Sequence, residues 1–269
     1  MKKGFITNKY TISVFILLAI LAVDVYLHKG MSRVMLPESF TDKRMPQKNL
    51  PFCKASLIIK GKKWRKAVNN LDIASKIDAS LSGFESDIHF DTSKNSFFVY
   101  HDSSSISNLS LETMFATIFQ RKKDASVWLD FKNLSLANAK QALTKLCEIR
   151  EEFALQKRII VESSTIQALT MFCDSNFYTS YYTPFFNPYN ESEEKIVETI
   201  DNISSLLKKY PVSALSGYYF QTPFLMKFFP DFPILTWADD AHLSIVGNIF
   251  KYQLEQQKNI SIILYPSDN

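Results

Sequence analysis

Three cysteines in 269 residues, Cys53, Cys147 and Cys173, are too few and too scattered for a disulfide framework. No Cys-x-x-Cys pair offers a zinc site; one disulfide fits, with one thiol left over. Glycine is sparse too, six in all. No glycine-rich loop follows any strand-like run, which argues against a nucleotide or dinucleotide phosphate cradle. Charge of one sign is also lacking: 31 basic against 27 acidic residues leave a net +4. Basic residues gather only locally, at Lys54, Lys60, Lys62, Lys63, Arg65 and Lys66. No aromatic interleaving or nucleic-acid fold signature accompanies them, so no nucleic-acid partner is expected, whereas a basic rim suits an anionic small molecule.

A small-residue cleavage site is missing as well. Lys2, Lys3 and Lys9 precede an apolar run from Thr11 to Leu27 broken only by Asp24, and Asp24, Val25, Tyr26, Leu27, His28 and Lys29 then follow Val23. Residues 1–30 are therefore expected to be an uncleaved signal anchor, with a cleaved signal peptide as the alternative. The lysines place the amino terminus in the cytoplasm and the body on the extracytoplasmic side, periplasmic or extracellular. Residues 31–53, with Pro37, Pro46 and Pro51 and no periodicity, read as a linker. Residues 54–269 read as one domain.

What the body does have is alternation. Short apolar runs at 57–59, 83–91, 127–131, 158–162, 177–182, 214–218, 233–237 and 260–265 read as strands. Between them, 69–79, 136–153, 166–172, 191–209, 224–229 and 241–256 have helical spacing, and Ser110 suits the N-cap of another helix. Eight strands alternating with helices at this length predict an α/β fold, a closed (β/α)8 TIM barrel. A doubly wound open sheet is the alternative. A turn at 92–95 and a short strand ending at His101 and Asp102 add a β-hairpin insertion after the second strand.

In such a barrel, chemistry gathers at the carboxyl ends of the strands. Those ends carry Glu85 and Asp87, Asp130 and Lys132, Glu162, Tyr218 and Trp237, with His101 brought in by the hairpin. Glu85 and Asp87 are two apart and leave one face of their strand; Asp130 and Lys132 repeat that spacing. Several carboxylates in one mouth raise each other's pKa unless a cation lies among them, and oxygen donors favour Mg²⁺ or Ca²⁺ over zinc. Lys132 then suits an anionic phosphate oxygen, and His101 a general acid or base, with His89 second choice. Glu162 also fits a structural ion pair, and Trp237 fits barrel packing.

Phe84-Glu85-Ser86-Asp87-Ile88, with His101-Asp102 beyond it, resembles the Glu-x-Asp and His-Asp motifs of the glycerophosphodiester phosphodiesterases. Val127-Trp128-Leu129-Asp130-Phe131-Lys132-Asn133-Leu134, Val161-Glu162-Ser163 and Phe177-Tyr178-Thr179-Ser180-Tyr181-Tyr182 look like the bacterial relatives of the menorin-type branch. The resemblance spans residues 55–265. It implies a (β/α)8 barrel, a divalent metal on Glu85, Asp87 and Asp130, phosphate bound by Lys132, and His101 as one of two acid/base histidines. It also implies a phosphodiester, a lipid headgroup or a related anionic substrate. The first histidine is expected just before an asparagine; here Asn69 is present and Lys66 stands where the histidine belongs. A lysine is a poor base unless desolvated. Two functions follow: a metal-dependent phosphodiesterase using His101, Lys132 and Lys66, or an impaired descendant that binds an anionic ligand or partner. Asn69, Glu162, Tyr218 and Trp237 complete the candidate substrate contacts.

Overall fold

The sheet closes through a strand whose sequence barely signals it. In the computed structural model, which describes residues 3–36, 38–78, 80–238 and 243–266, the first strand is β1 (Lys63–Arg65), only three residues long and charged at both ends. It pairs in parallel with β2 (Gly83–Asp91) on one side and β9 (Ile260–Tyr265) on the other. The expected strand at 57–59 does not form. That run is irregular: Ile58 N donates to Lys157 O and Ser126 Oγ donates to Ile58 O. Its apolar character has another use, since Leu57 packs against the cluster that fills the barrel.

From β2 the ring continues through β4 (Ser126–Phe131), β5 (Ile159–Ser163), β6 (Tyr178–Tyr182), β7 (Ala214–Tyr218) and β8 (Ile234–Trp237) to β9, every pairing parallel. The result is a closed eight-stranded barrel. The hairpin is present as expected: β3 (Ser96–Val99) runs antiparallel along the second half of β2, from Ile88 opposite Val99 to Asp91 opposite Ser96.

Strand alternation sorts the side chains. Trp64, Trp128, Ile160, Tyr178, Ala214, Leu235, Ile262 and Leu264 point inward and form one buried cluster. Gly83 shares this inward parity, and the space it leaves is used: a Cβ there would lie 2.7 Å from the Trp64 ring and 2.5 Å from Ser126 O. Outward residues meet the helices. Phe84 packs edge-on against Phe115 of α4 (Leu111–Arg121), and Phe131 against Phe172 of α6 (Ile166–Asp174). The helix expected at 69–79 shortens to α3 (Leu71–Ser75), capped by the Asn70 side chain accepting from Ile73 N. Helices α5 (Ala139–Glu152), α7 (Glu193–Lys209) and α8 (Thr222–Phe228) follow the expected runs closely. Ser110 caps α4 as expected, accepting from Thr113 N.

The chain divides into two compact units: Ser39–Asp239 with Lys258–Asn269, and Met1–Glu38 with Asp240–Gln257. The first holds the barrel. Its leading stretch has no regular structure yet is tied down: Thr41 Oγ1 donates to Glu193, Arg44 grips both oxygens of Asp201, and Gln47 N donates to Phe228 O. Cys53 forms a disulfide with Cys173, 120 residues on, and Cys147 stays free. The second unit contains α1 (Lys3–Leu27), α2 (Lys29–Val34) and α9 (Ile245–Gln256). An 18-residue stretch of α1, Tyr10–Leu27, has a mean hydropathy of 2.2 and no buried residue, and is long and apolar enough to cross a bilayer. Asp24, the break in that run, accepts the backbone N–H of Val246 at the start of α9, and pairs with His28. Lys2, Ala79 and Ala241 lie outside the described residues.

Candidate active site

The site is assembled by register. Asp87 sits opposite Asp130, and Asp130 opposite Glu162, so adjacent strands β2, β4 and β5 each contribute one carboxylate at the same height. Glu85 lies one inward position deeper, opposite Trp128. Glu85 and Asp87 are 4% and 3% exposed, and Glu162 is 2% exposed. Carboxylate oxygens of Glu85, Asp87 and Asp130 all lie within 4.8 Å of one another.

The turn after β1 holds two of these groups from outside. Ala67 adopts a left-handed backbone, φ 57°, which is unfavourable for a residue with a Cβ. The turn directs its N–H to Glu85 Oε2 at 2.6 Å. Two residues on, Asn69 Nδ2 donates to Asp87 Oδ2 at 2.5 Å while Asn69 Oδ1 accepts from Asp87 N. Asn69, expected to contact substrate, instead spends both polar atoms on Asp87 and orients it. Ser86 Oγ donates to Val68 O and fastens the same turn.

Lys132 follows Asp130 by two residues and turns back into the cluster. Its Nζ lies 2.7 Å from Asp87 Oδ1 and 2.5 Å from Asp130 Oδ2. Burial alone would lower that ammonium; the adjacent Asp130 and Asp87 outweigh it and hold it above the ordinary lysine range. Burial pushes Glu85 well above the usual carboxylate range, with the charges of Asp87 and Asp130 adding to it, against the pull of the Ala67 N–H and Lys132. Asp130 is raised by burial against the pull of Lys132. Glu162 is raised well by burial and then by Asp130, with a Ser216 hydrogen bond opposing. Among the described residues, Glu162 Oε2 and Trp128 Nε1 are buried without a hydrogen-bond partner.

Acidic groups and a cation thus share a cavity of about 200 Å³. Lys66, Glu85, Asp87, His101, Asp130, Lys132, Glu162, Tyr218 and Trp237 all line it, so the sequence-expected site residues reach this one space except Asn69 and the second-choice His89. His101 is exposed at its rim, and Nδ1 lies 3.0 Å from Asp102 Oδ2. Asp102 is held well below the usual range by the Ser104 hydroxyl and then by His101, so it stays charged and orients the imidazole through Nδ1, leaving Nε2 outside that bond. His89 is not among the lining residues; it stacks on Tyr100 at 3.9 Å and reaches the His101 carbonyl. It supports the hairpin. Lys66 Nζ lies 5.9 Å from the Trp237 ring.

Trp128, Tyr182 and the backbone of Ala67 also line the cavity and were not expected there. Inward parity with Asp130 and with Ser180 would have found Trp128 and Tyr182; no sequence signal marks Ala67.

No protein-family model matches this sequence, and no curated protein matches it. Solved structures do. A glycerophosphodiester phosphodiesterase from Parabacteroides distasonis superposes with a TM-score of 0.51 at 15% identity, over 77% of this chain and 92% of that one. A protein from Galdieria sulphuraria, provisionally assigned the same activity, gives 0.53 at 13% identity, over 78% and 95%. An Oleispira antarctica phosphodiesterase, solved with its product sn-glycerol-3-phosphate, gives 0.50 at 8% identity, over 76% and 92%. None of these places the chain in the menorin-type branch. The chain carries the (β/α)8 barrel fold found in the glycerophosphodiester phosphodiesterases.

Proposed function

We propose that this protein is a membrane-anchored, extracytoplasmic phosphodiesterase acting on a glycerophosphodiester or a related phosphate ester with the help of a divalent cation. One observation carries the reading: three carboxylates, Lys132 and His101 converge on one cavity at the carboxyl ends of the strands.

The donor set fits a hard cation. All three candidate ligands are carboxylates, the choice of Mg²⁺ or Ca²⁺, and two are already oriented by Ala67 and Asn69. Glu85, Asp87 and Asp130 would hold it; when bound it would supply Lewis-acid polarisation of a phosphoryl oxygen. Lys132 and Lys66 bind the remaining anionic oxygens. His101 Nε2, oriented through Nδ1 by Asp102, exchanges a proton with the attacking or leaving oxygen. Trp237, Tyr218 and Glu162 border the organic part of the substrate.

The anchor reading rests on α1 and on what its end does. Asp24 satisfies a backbone donor at the start of α9, and Met31 of α2 is buried, so removing the leader would strip contacts from a folded unit. The Cys53–Cys173 disulfide fits an oxidising compartment.

A second reading is kept by Lys66. With a lysine in place of the second acid/base histidine, the same cavity serves an anionic ligand without turning it over. Hydrolysis of glycerophosphocholine and of bis-p-nitrophenyl phosphate by the purified full chain, with Mg²⁺, Ca²⁺ or EDTA, separates the two. Metal-dependent turnover that falls by about 10²–10⁴ in His101→Ala supports the enzyme. No turnover with any divalent ion, and no effect of His101→Ala, leaves the binding protein.

A further inference from the structure

Helix α9 carries two apolar faces, and only one of them is covered. Val246, Phe250 and Leu254, at i, i+4 and i+8, are buried. Ile245, Ile249 and Tyr252, at i, i+4 and i+7, form a stripe on another side and are 49%, 48% and 65% exposed. Leu243, just ahead of the helix, is fully exposed. The stripe is graded along its length. Its first two turns are hydrocarbon, Tyr252 follows, and Gln256 ends it.

A second copy of the chain would find too little here, since a stable dimer buries roughly 800 Å² on each partner and the stripe offers four side chains. Nor does α9 carry a net charge to steer a protein partner: Lys251 and Glu255 are its ionisable acid and base. The tie to α1, in the same compact unit, decides for lipid. Asp24 Oδ2 accepts from Val246 N at 2.9 Å, while the N-cap Ser244 accepts from Gly247 N. Asp24 lies three residues before the end of the apolar stretch Tyr10–Leu27, so about 5 Å inside that end at a rise of about 1.5 Å per residue. A carboxylate there is costly without partners, and it has two, the Val246 N–H and His28. The bond thereby holds the start of α9 near the depth of about 5–10 Å at which interfacial helices bury their apolar faces.

We infer that α9 is an interfacial helix, dipping its first two turns into the bilayer that α1 crosses. Leu243, Ile245 and Ile249 enter among the upper acyl carbons, and Tyr252 lies at the headgroups, where an amphipathic ring is favoured. This rests on the anchor reading above. The attachment is then made at two places: α1 fixes the chain to the membrane, and α9 stops this unit from turning about that single axis. With no net charge on α9, an uncharged phosphatidylcholine bilayer suffices.

The test is a depth measurement on the full chain in phosphatidylcholine nanodiscs. With Cys147→Ser and the Cys53–Cys173 disulfide intact, an NBD fluorophore is attached through Ile245→Cys, Ile249→Cys or, as the mid-span reference, Leu18→Cys. Both α9 labels are expected to emit to the blue and to lose about half their fluorescence to lipid bearing a nitroxide near the top of its acyl chain, the depth an interfacial helix reaches. The Leu18 label should respond to a nitroxide deep in the chain. A quenched Leu18 label, with either α9 label unquenched and water-like, overturns the interfacial helix alone. Blue-shifted α9 labels that no lipid nitroxide quenches mark a protein contact and overturn it too. An unquenched Leu18 label overturns the anchor reading and the inference with it. An α9 variant that loses the parent's melting transition is replaced by Tyr252→Cys, which is expected to be quenched by a headgroup nitroxide; no quenching there overturns the inference.

Discussion

Lys132 Nζ stands 2.7 Å from Asp87 Oδ1, on the same carboxylate that Asn69 clasps by its other oxygen. The ammonium therefore lies where a divalent cation would also act, between Asp87 and Asp130. Lys132→Met leaves those two carboxylates facing each other. Breaking a buried pair costs about 3–5 kcal/mol, and the 26% exposure of the Lys132 side chain lowers the expectation to about 2–4. In EDTA the variant should melt below the parent, and Ca²⁺ or Mg²⁺ should recover more of its Tm than of the parent's. Equal metal stabilisation of both proteins would show that ammonium and metal occupy independent places.

Lys66 lines the same cavity as His101, at the position where the resemblance expects a second imidazole. Lys66→His should raise turnover of glycerophosphocholine by about ten-fold or more, with a new limb in the pH–rate profile near the histidine pKa. An unchanged or lower rate would mean that the lysine serves phosphate binding and that the site never used paired histidines.

The Cys53–Cys173 bond joins the segment ahead of the barrel to α6 across 120 residues. Closing a loop of that length constrains the unfolded chain by roughly 3–5 kcal/mol. The double variant Cys53→Ser, Cys173→Ser should lose that much in urea unfolding, and reductant should bring the parent down to it. A variant as stable as the oxidised parent would refute a stabilising role.

Burial raises Tyr178 and Tyr182 above the ordinary phenol range and pushes Tyr181 up to about 12, from 10.0. A phenol harder to ionise when folded contributes stability that is fully present below the unfolded pKa and is lost as pH rises through the folded one. Stability should fall between about pH 10 and 12. Absorbance at 295 nm should show these tyrosines ionising together with unfolding; full ionisation at pH 10 in a folded chain would contradict their burial.

Much of this was legible because period two survives in a buried strand. Glu85 with Asp87, and Asp130 with Lys132, announce shared faces from spacing alone, and register then brings them together. β1 was not legible. Only Trp64 of its three residues faces the interior, and its flanking Lys63 and Arg65 read as surface, while the more apolar Leu57 nearby serves as barrel filler. Asn69 was found by its place after β1, but its two bonds to Asp87 were not legible, because sequence cannot tell a side chain that meets substrate from one that orients Asp87. Ala67 was invisible for a different reason: its contribution is a backbone N–H aimed by a left-handed φ.

His101 is delivered by a hairpin that stands outside the closed ring. β3 pairs only with the outer half of β2, and its other edge meets a single bridge, Phe98 to Ser110. The carboxylates are fixed by barrel closure, so they cannot shift without loss of the fold; the imidazole depends on a hairpin held by its pairing with β2 and by the His89–Tyr100 stack. On the proposed reading, anion binding and proton transfer thus rest on separate parts of the fold. On that reading, edits to the hairpin would retune or extinguish turnover while the barrel and its acidic mouth stay in place.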